Sequence, residues 1–228
     1  MYKLFLLFVV YSFAGWLMEV LFKFVELRRI VNRGFLIGPF CPIYGFGGLL
    51  IYFIGNYFYD NYFLVFLMSI LFCAVMEYLV SFLLEYFFHA RWWDYSHKPF
   101  NLNGRICLRN LFFFGILGLL GVYIFNPFIL SILDKLNYYL VRNSAIVVFI
   151  IFLIDFVVSV LLVNSLKDYF YSIKKDATEE ISKKIKKVLI DKSIYFRRVV
   201  VAYPNFRFTS KYIKQVKEKI SNMKNLKK

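Results

Sequence analysis

The chain has 228 residues, of which 61% are hydrophobic and 22% aromatic, and its mean hydropathy is +0.61. A soluble domain is about 45–50% apolar, so the composition excludes an ordinary soluble domain and predicts an integral membrane protein. The net charge is +15, but residues 167–228 hold 18 of the 29 lysines and arginines and only 6 of the 14 acidic residues. A basic excess at one end favours contact with anionic membrane lipid over nucleic acid. Three widely spaced cysteines and two isolated histidines predict no metal site, no disulfide framework and no cofactor.

Five apolar segments follow one another along the chain, at about 4–22, 35–55, 62–82, 111–133 and 145–166. Each is close to the roughly 20 residues that an α-helix needs to cross a bilayer. We therefore predict an all-α, polytopic membrane helix bundle with about five transmembrane helices in residues 1–166. Residues 167–228 are predicted to form a basic, amphipathic helical tail on the cytoplasmic side, which lies on lipid or docks on a cytosolic partner.

The lysines and arginines between the spans predict the orientation of the chain. Alternate connections, together with the tail, hold 26 basic residues on one side and 3 on the other. Basic residues accumulate on the cytoplasmic side of membrane proteins. The protein is therefore predicted to be a multi-pass cell-membrane protein with its N-terminus outside and its C-terminus in the cytoplasm.

The second apolar segment is unusual because it contains both prolines and closely spaced glycines. Gly38-Pro39 and Pro42 precede Gly45 and its neighbours. Lipid-facing backbone does not tolerate such breaks, so the segment is predicted to be a broken helix or a re-entrant turn inside the protein. The alternative is a glycine-rich helix face that lets neighbouring helices approach closely.

Two parts of the chain resemble each other. Met18-Glu19 in the first span matches Met76-Glu77 in the third, and each is followed later by an Asn, Gly and Arg cluster before a glycine-rich span. Both glutamates lie on spans that run from outside to inside. We hypothesise a direct duplication, and in transporters built from repeats the site lies between the halves.

Charged residues inside the apolar segments indicate an internal polar site. A carboxylate at mid-membrane costs about 2.5–3.5 kcal/mol even on the lenient insertion scale, so it is rarely accidental. The predicted site comprises Glu19, Glu77 and Asp155, with Arg33 and Arg105 as the available opposite charges. Asp155 has no basic residue on its own helix and must pair across helices, accept hydrogen bonds or stay protonated. The alternative is that these groups only hold the bundle together.

Several longer motifs carry a family resemblance. They occupy 11–16 with Glu19, then 32–45, 93–96 and 99–107, and their main positions are Asn32, Gly34, Pro39, Cys41, Pro42, Tyr44, Trp93, Asp94, Asn101, Asn103 and Cys107. These motifs resemble the bacterial membrane family described as "Putative ABC-transporter type IV", which is typical of clostridia and related Gram-positive bacteria. The resemblance implies a permease-like membrane component that needs a separate cytosolic ATPase. In agreement, the 228 residues contain no G-x-x-x-x-G-K-[ST] loop for binding ATP.

Three functions follow from these observations, and the first is preferred. The chain is a transporter membrane subunit with an internal polar site; or a non-catalytic scaffold or sensor; or an intramembrane lipid-modifying enzyme that uses Glu77 or Asp155 as acid or base. An enzymatic role is the less favoured. The expected partners are membrane lipid, a separate ATPase and a second copy of the chain, but not nucleic acid. The polar loop that holds Asp94, Asn101 and Asn103 is either a binding loop or an ordered interfacial loop.

Overall fold

A computed structural model describes residues 1–28, 32, 34–88, 90–174 and 207–208. Its elements in chain order are α1 (Tyr2–Leu27), α2 (Pro42–Phe58), α3 (Tyr62–Phe88), β1 (Ala90–Arg91), β2 (Asn101–Leu102), β3 (Ile106–Cys107), α4 (Leu108–Leu120), α5 (Asn126–Lys135), α6 (Tyr138–Lys174) and β4 (Arg207–Phe208). A π turn joins α4 to α5, so the two form one continuous helical stretch. Strand β2 pairs antiparallel with β3, and β1 pairs antiparallel with β4.

The prediction of a helical membrane bundle is confirmed. Four stretches are long and apolar enough to cross a membrane, namely Tyr2–Val25, Tyr62–Phe88, Leu108–Lys135 and Tyr138–Asn164. Helix α2 has 17 residues and lies in the second predicted span, so the count of about five is consistent. The predicted tail helix beyond Lys174 lies outside the described residues.

The chain divides into two compact units. The first comprises Met1–Val80 and Asp94–Val157, and the second comprises Ser81–Trp93 and Val158–Lys228. Within the second unit, Arg91 forms an ion pair with Glu85 at 2.9 Å between Nε and Oε2. The candidate site described below lies within the first unit.

Glycines bring helices of the first unit close together. A Cβ added to Gly45 of α2 would overlap Ser12 of α1, and a Cβ on Gly118 of α4 would overlap Ser69 of α3. A core cluster of Ile51, Ile54, Val65, Cys73 and Val122 fills the space between α2, α3 and the π turn. In α6, by contrast, side chains such as Ile154 are about half exposed, as expected of a helix that faces lipid.

The π turn at Gly121–Phe125 has a local cause. Pro127 lacks an N–H and cannot donate to the carbonyl of Tyr123 four residues earlier. The backbone N–H of Asn126 donates to Gly121 five residues earlier, which is the wider spacing of a π turn. The helix therefore changes to the wider hydrogen-bond spacing of a π turn at this point and continues without a break.

Candidate functional site

The second predicted span is broken over residues 34–41. These residues are not helical, and α2 begins only at Pro42, after Cys41 in an extended conformation. Proline suits the first turn of a helix because the N–H that it lacks has no partner there. Where a chain crosses a membrane, the backbone groups of a stretch that is not helical need partners within the protein.

Asp155 supplies those partners from α6. Its Oδ1 accepts hydrogen bonds from the N–H of Ile37 at 3.0 Å and of Gly38 at 3.2 Å, and its Oδ2 accepts from Gly38 at 3.0 Å. A Cβ at position 38 would lie 2.8 Å from Oδ2, so a glycine is needed for this approach. Of the alternatives predicted for Asp155, the structure shows hydrogen bonding, here to the backbone of the broken span.

Asn32 and Ser12 complete the support of the broken stretch. The Asn32 amide donates to the carbonyl of Ile37 at 2.7 Å and accepts a hydrogen bond from the indole of Trp16 at 2.7 Å. The N–H of Cys41 donates to the Ser12 carbonyl on α1 at 2.9 Å. Hydrogen bonds to Asn32 and to the Ser12 carbonyl thus satisfy backbone groups that helical hydrogen bonds satisfy elsewhere in the bundle.

Glu19 lies on α1 and is held by a tyrosine from α2. The Tyr44 hydroxyl donates to Glu19 Oε1 at 2.8 Å. The ring of Tyr44 occupies the place where a side chain on Gly15 would be, so Gly15 allows the two helices to meet. Arg33, a predicted partner of this region, lies outside the described residues.

Glu77 lies on α3 and is held by a tyrosine from the polar loop. The Tyr95 hydroxyl donates to Glu77 Oε1 at 3.3 Å, and Asn110 of α4 lies beside both groups. Glu77 is only 7% exposed, and its second oxygen, Oε2, is buried without a hydrogen-bond partner among the described residues. The predicted partner Arg105 is also buried but lies over the ring of Tyr78, 5.5 Å from its centroid.

The two glutamate–tyrosine pairs belong to one cluster. The charges of Glu19 and Glu77 lie close enough to interact, as do Tyr44 and Tyr95. We call these four residues the Glu–Tyr cluster. Burial raises the pKa of Tyr95 above its ordinary value. Tyr95 therefore stays a neutral hydrogen-bond donor throughout the physiological range.

A tight hairpin places Tyr95 beside Glu77. Asn103 and Gly104 both have positive φ, 53° and 68°, and Arg105 N–H donates to the Leu102 carbonyl at 3.0 Å, which defines a type I′ turn between β2 and β3. The Gly104 carbonyl accepts a hydrogen bond from Tyr95 N–H at 2.8 Å. This hairpin was not predicted, although Asn-Gly is the strongest short-range hairpin signal in a sequence.

The remaining loop residues anchor the hairpin. Asn101 Oδ1 accepts from Gly104 N–H at 3.0 Å, and Asn103 Nδ2 donates to the Tyr78 hydroxyl at 3.0 Å. Asp94 accepts from the backbone of Ser96 at 2.9 Å. These contacts order the predicted loop, and its hairpin holds Tyr95 of the Glu–Tyr cluster through Gly104.

The motif cysteines mark the starts of two helices. Cys41 precedes α2 and Cys107 precedes α4, and both are buried free thiols. In the part of the chain that the structure describes, no group of three or more His, Cys, Asp or Glu side chains could hold a metal ion. The Glu–Tyr cluster offers two carboxyl groups and two hydroxyl groups. Of the other motif positions, Gly34 and Trp93 are half-buried and Pro39 is exposed.

Comparison with known proteins identifies the family. The sequence profile of the family described as "Putative ABC-transporter type IV" matches residues 6–160. The chain belongs to this family. The matched region of this family member contains both glutamate–tyrosine pairs, the broken span and Asp155. Neither the curated proteins nor the solved structures contain a significant match to the chain.

Proposed function

We propose that this protein is the membrane subunit of an ABC-type transporter, in which a separate subunit hydrolyses ATP and the Glu–Tyr cluster is the internal polar site. The observation that carries the proposal is Glu77, which is buried in the bundle and has one carboxylate oxygen without a hydrogen-bond partner among the described residues. A buried polar group without a partner is costly, and acidic groups inside membrane helices commonly mark a transport pathway.

The contacts at the start of α1 support five crossings. Lys3 forms an ion pair with Asp134 at the end of α5, and the ring of Tyr2 packs at 6.3 Å from that of Tyr138 at the start of α6. Helix α1, helix α3 and the stretch Leu108–Lys135 would give only three crossings between Lys3 and Asp134. For these two residues to share a membrane face, the broken second span supplies the fourth crossing, and α6 is the fifth.

The distribution of basic residues supports the orientation. With five crossings, the loops rich in lysine and arginine fall on the same side as the basic tail, which is the cytoplasmic side. A cytosolic ATPase would then meet the loops that follow α1 and α3, and the tail.

Purification in mild detergent tests the partner. We expect the tagged protein to retain a second protein that hydrolyses ATP, and a variant that ends at residue 174 to retain less of it. A preparation without ATP hydrolysis, from cells that express the neighbouring genes, would contradict the proposed subunit role.

A matched pair of variants tests the site. Glu77→Gln replaces the buried carboxyl group of the cluster, whereas Glu85→Gln removes a carboxylate on the same helix that is ion-paired with Arg91. We expect solute-stimulated ATP hydrolysis to fall in Glu77→Gln and to persist in Glu85→Gln. Equal activity of both variants would argue against the site.

A non-catalytic scaffold is the second candidate. It is favoured by the contacts of Asp155, which support backbone rather than face the Glu–Tyr cluster. The scaffold predicts that Glu77→Gln keeps full function in cells and that no ATPase is retained.

A further inference from the structure

The surroundings of Glu77 contain acids and neutral donors but no described cationic partner. Cys73 faces it from α3 itself, Glu19 from α1, Tyr95 from the polar loop and Asn110 from α4. Among the described residues, no lysine or arginine pairs with its carboxyl group, and Oε2 has no hydrogen-bond partner. The Glu77 carboxyl group is therefore buried without a described counter-charge.

An ionised Glu77 would be poorly accommodated there. A buried carboxylate needs a counter-charge or several hydrogen bonds, and the described partners of Glu77 are the neutral side chains of Tyr95, at 3.3 Å, and Asn110. The nearby Glu19 carboxylate adds like-charge repulsion. A proton on Oε2 removes the buried charge and the repulsion together, and Oε1 can still accept the hydrogen bond from Tyr95.

The polar loop holds Tyr95 against Glu77. Tyr95 is held by the β2–β3 hairpin through Gly104, and Asn103 of the same hairpin holds Tyr78, the residue after Glu77. Glu77 lies about 16 Å before the end of α3, from a rise of about 1.5 Å per residue. Withdrawal of the hairpin would therefore open a path to a carboxyl group deep within the helix.

We propose that Glu77 is a reversible proton-binding site and that the transport cycle is coupled to it. In the arrangement seen here the carboxyl group carries its proton on Oε2. When the hairpin withdraws Tyr95, water reaches the group, the O–H bond breaks, and the proton leaves as hydronium while the carboxylate is solvated. The coupling rests on the proposed transport function, whereas proton binding is a property of this chain alone.

Infrared spectroscopy of the purified protein tests proton binding without any ATPase. A protonated carboxyl group gives a carbonyl-stretching band that the ionised group lacks. At neutral pH, where exposed carboxyl groups are ionised, we expect this band in the wild type and in Glu85→Gln, and its loss in Glu77→Gln. The proposal is overturned if the wild type lacks the band or if Glu77→Gln retains it.

A second pair of variants keeps the test decisive should Glu77→Gln fail to fold. Tyr95→Phe removes the hydrogen bond to Oε1 and should move the carbonyl band to higher frequency. Tyr44→Phe removes the matching bond to Glu19 and should leave the band where it is. A band that is identical in Tyr95→Phe and the wild type assigns the proton elsewhere and refutes the proposal. If an ATPase co-purifies with the protein but the protein lacks the carbonyl band, the inference is refuted and the proposed function is not.

Discussion

Asp155→Ala should be strongly destabilising because it leaves two backbone amides without acceptors. The wild-type carboxylate accepts from the N–H groups of Ile37 and Gly38 at 3.0–3.2 Å. A buried amide that loses its acceptor costs about 1–3 kcal/mol, which gives about 2–6 kcal/mol for the two. The Asp155 side chain is only half buried, so we expect a loss of about 2–4 kcal/mol, in the lower part of that range. Asp155→Asn keeps one acceptor oxygen and should lose about half as much.

The assay is reversible unfolding of the purified protein in mixed micelles, followed by helical circular dichroism. Ile154→Ala is the matched control, since Ile154 is the neighbouring residue on α6 and is 59% exposed. It should change the free energy of unfolding by less than about 1 kcal/mol, because little buried surface is lost. If Asp155→Ala is as stable as Ile154→Ala, the carboxylate does not support the broken span and our reading of the second segment is wrong.

Three further predictions concern packing, pH and topology. Gly45→Ala should destabilise the protein, because the added Cβ would lie 2.6 Å from Phe8. Gly47→Ala should be tolerated, because its added Cβ would lie 3.5 Å from the nearest neighbouring atom. Thermal unfolding of the two variants compares their stabilities. The pKa of Tyr95 in the folded state lies above its ordinary value of 10.0, so the stability of the folded state should fall as pH rises above 10.0. Alkaline titration of Tyr95→Phe should show a smaller fall in stability than that of the wild type. Cysteines at positions 3 and 134, in a background without the native cysteines, should be joined by a short thiol cross-linker; failure to cross-link would place the two helix ends apart.

The broken span could be located from the sequence, but its support could not. The prolines and glycines of residues 34–45 indicate a break by their backbone chemistry alone. Which side chains would satisfy the exposed amides depends on the packing of α6 against residues more than a hundred positions away. Asp155 could be singled out from its charge in an apolar run, but its contact with Ile37 and Gly38 is a tertiary fact.

The Glu–Tyr cluster was predicted only in part. Glu19 and Glu77 are conspicuous because acidic residues are rare in apolar helices. Their tyrosine partners are not conspicuous in the sequence, since tyrosine is one of the commonest residues of this chain. The hairpin also directs Tyr95 to Glu77 and places Arg105 over Tyr78, contacts that no sequence pattern indicated. The duplication suggested by the two Met-Glu pairs stays a prediction. The tyrosines that contact the two glutamates do not occupy matching positions, because Tyr44 follows Cys41 whereas Tyr95 precedes Cys107.

By itself, the sequence determined that this protein is a helical membrane bundle, and it predicted the segments that cross the bilayer. Those properties follow from local hydrophobicity and backbone chemistry, and neither needs knowledge of distant contacts. Only the tertiary structure decided that Asp155 serves the backbone while Glu19 and Glu77 share one cluster. Such partnerships join elements far apart in the chain, and a buried polar group takes whichever donor or acceptor the packed helices bring to it.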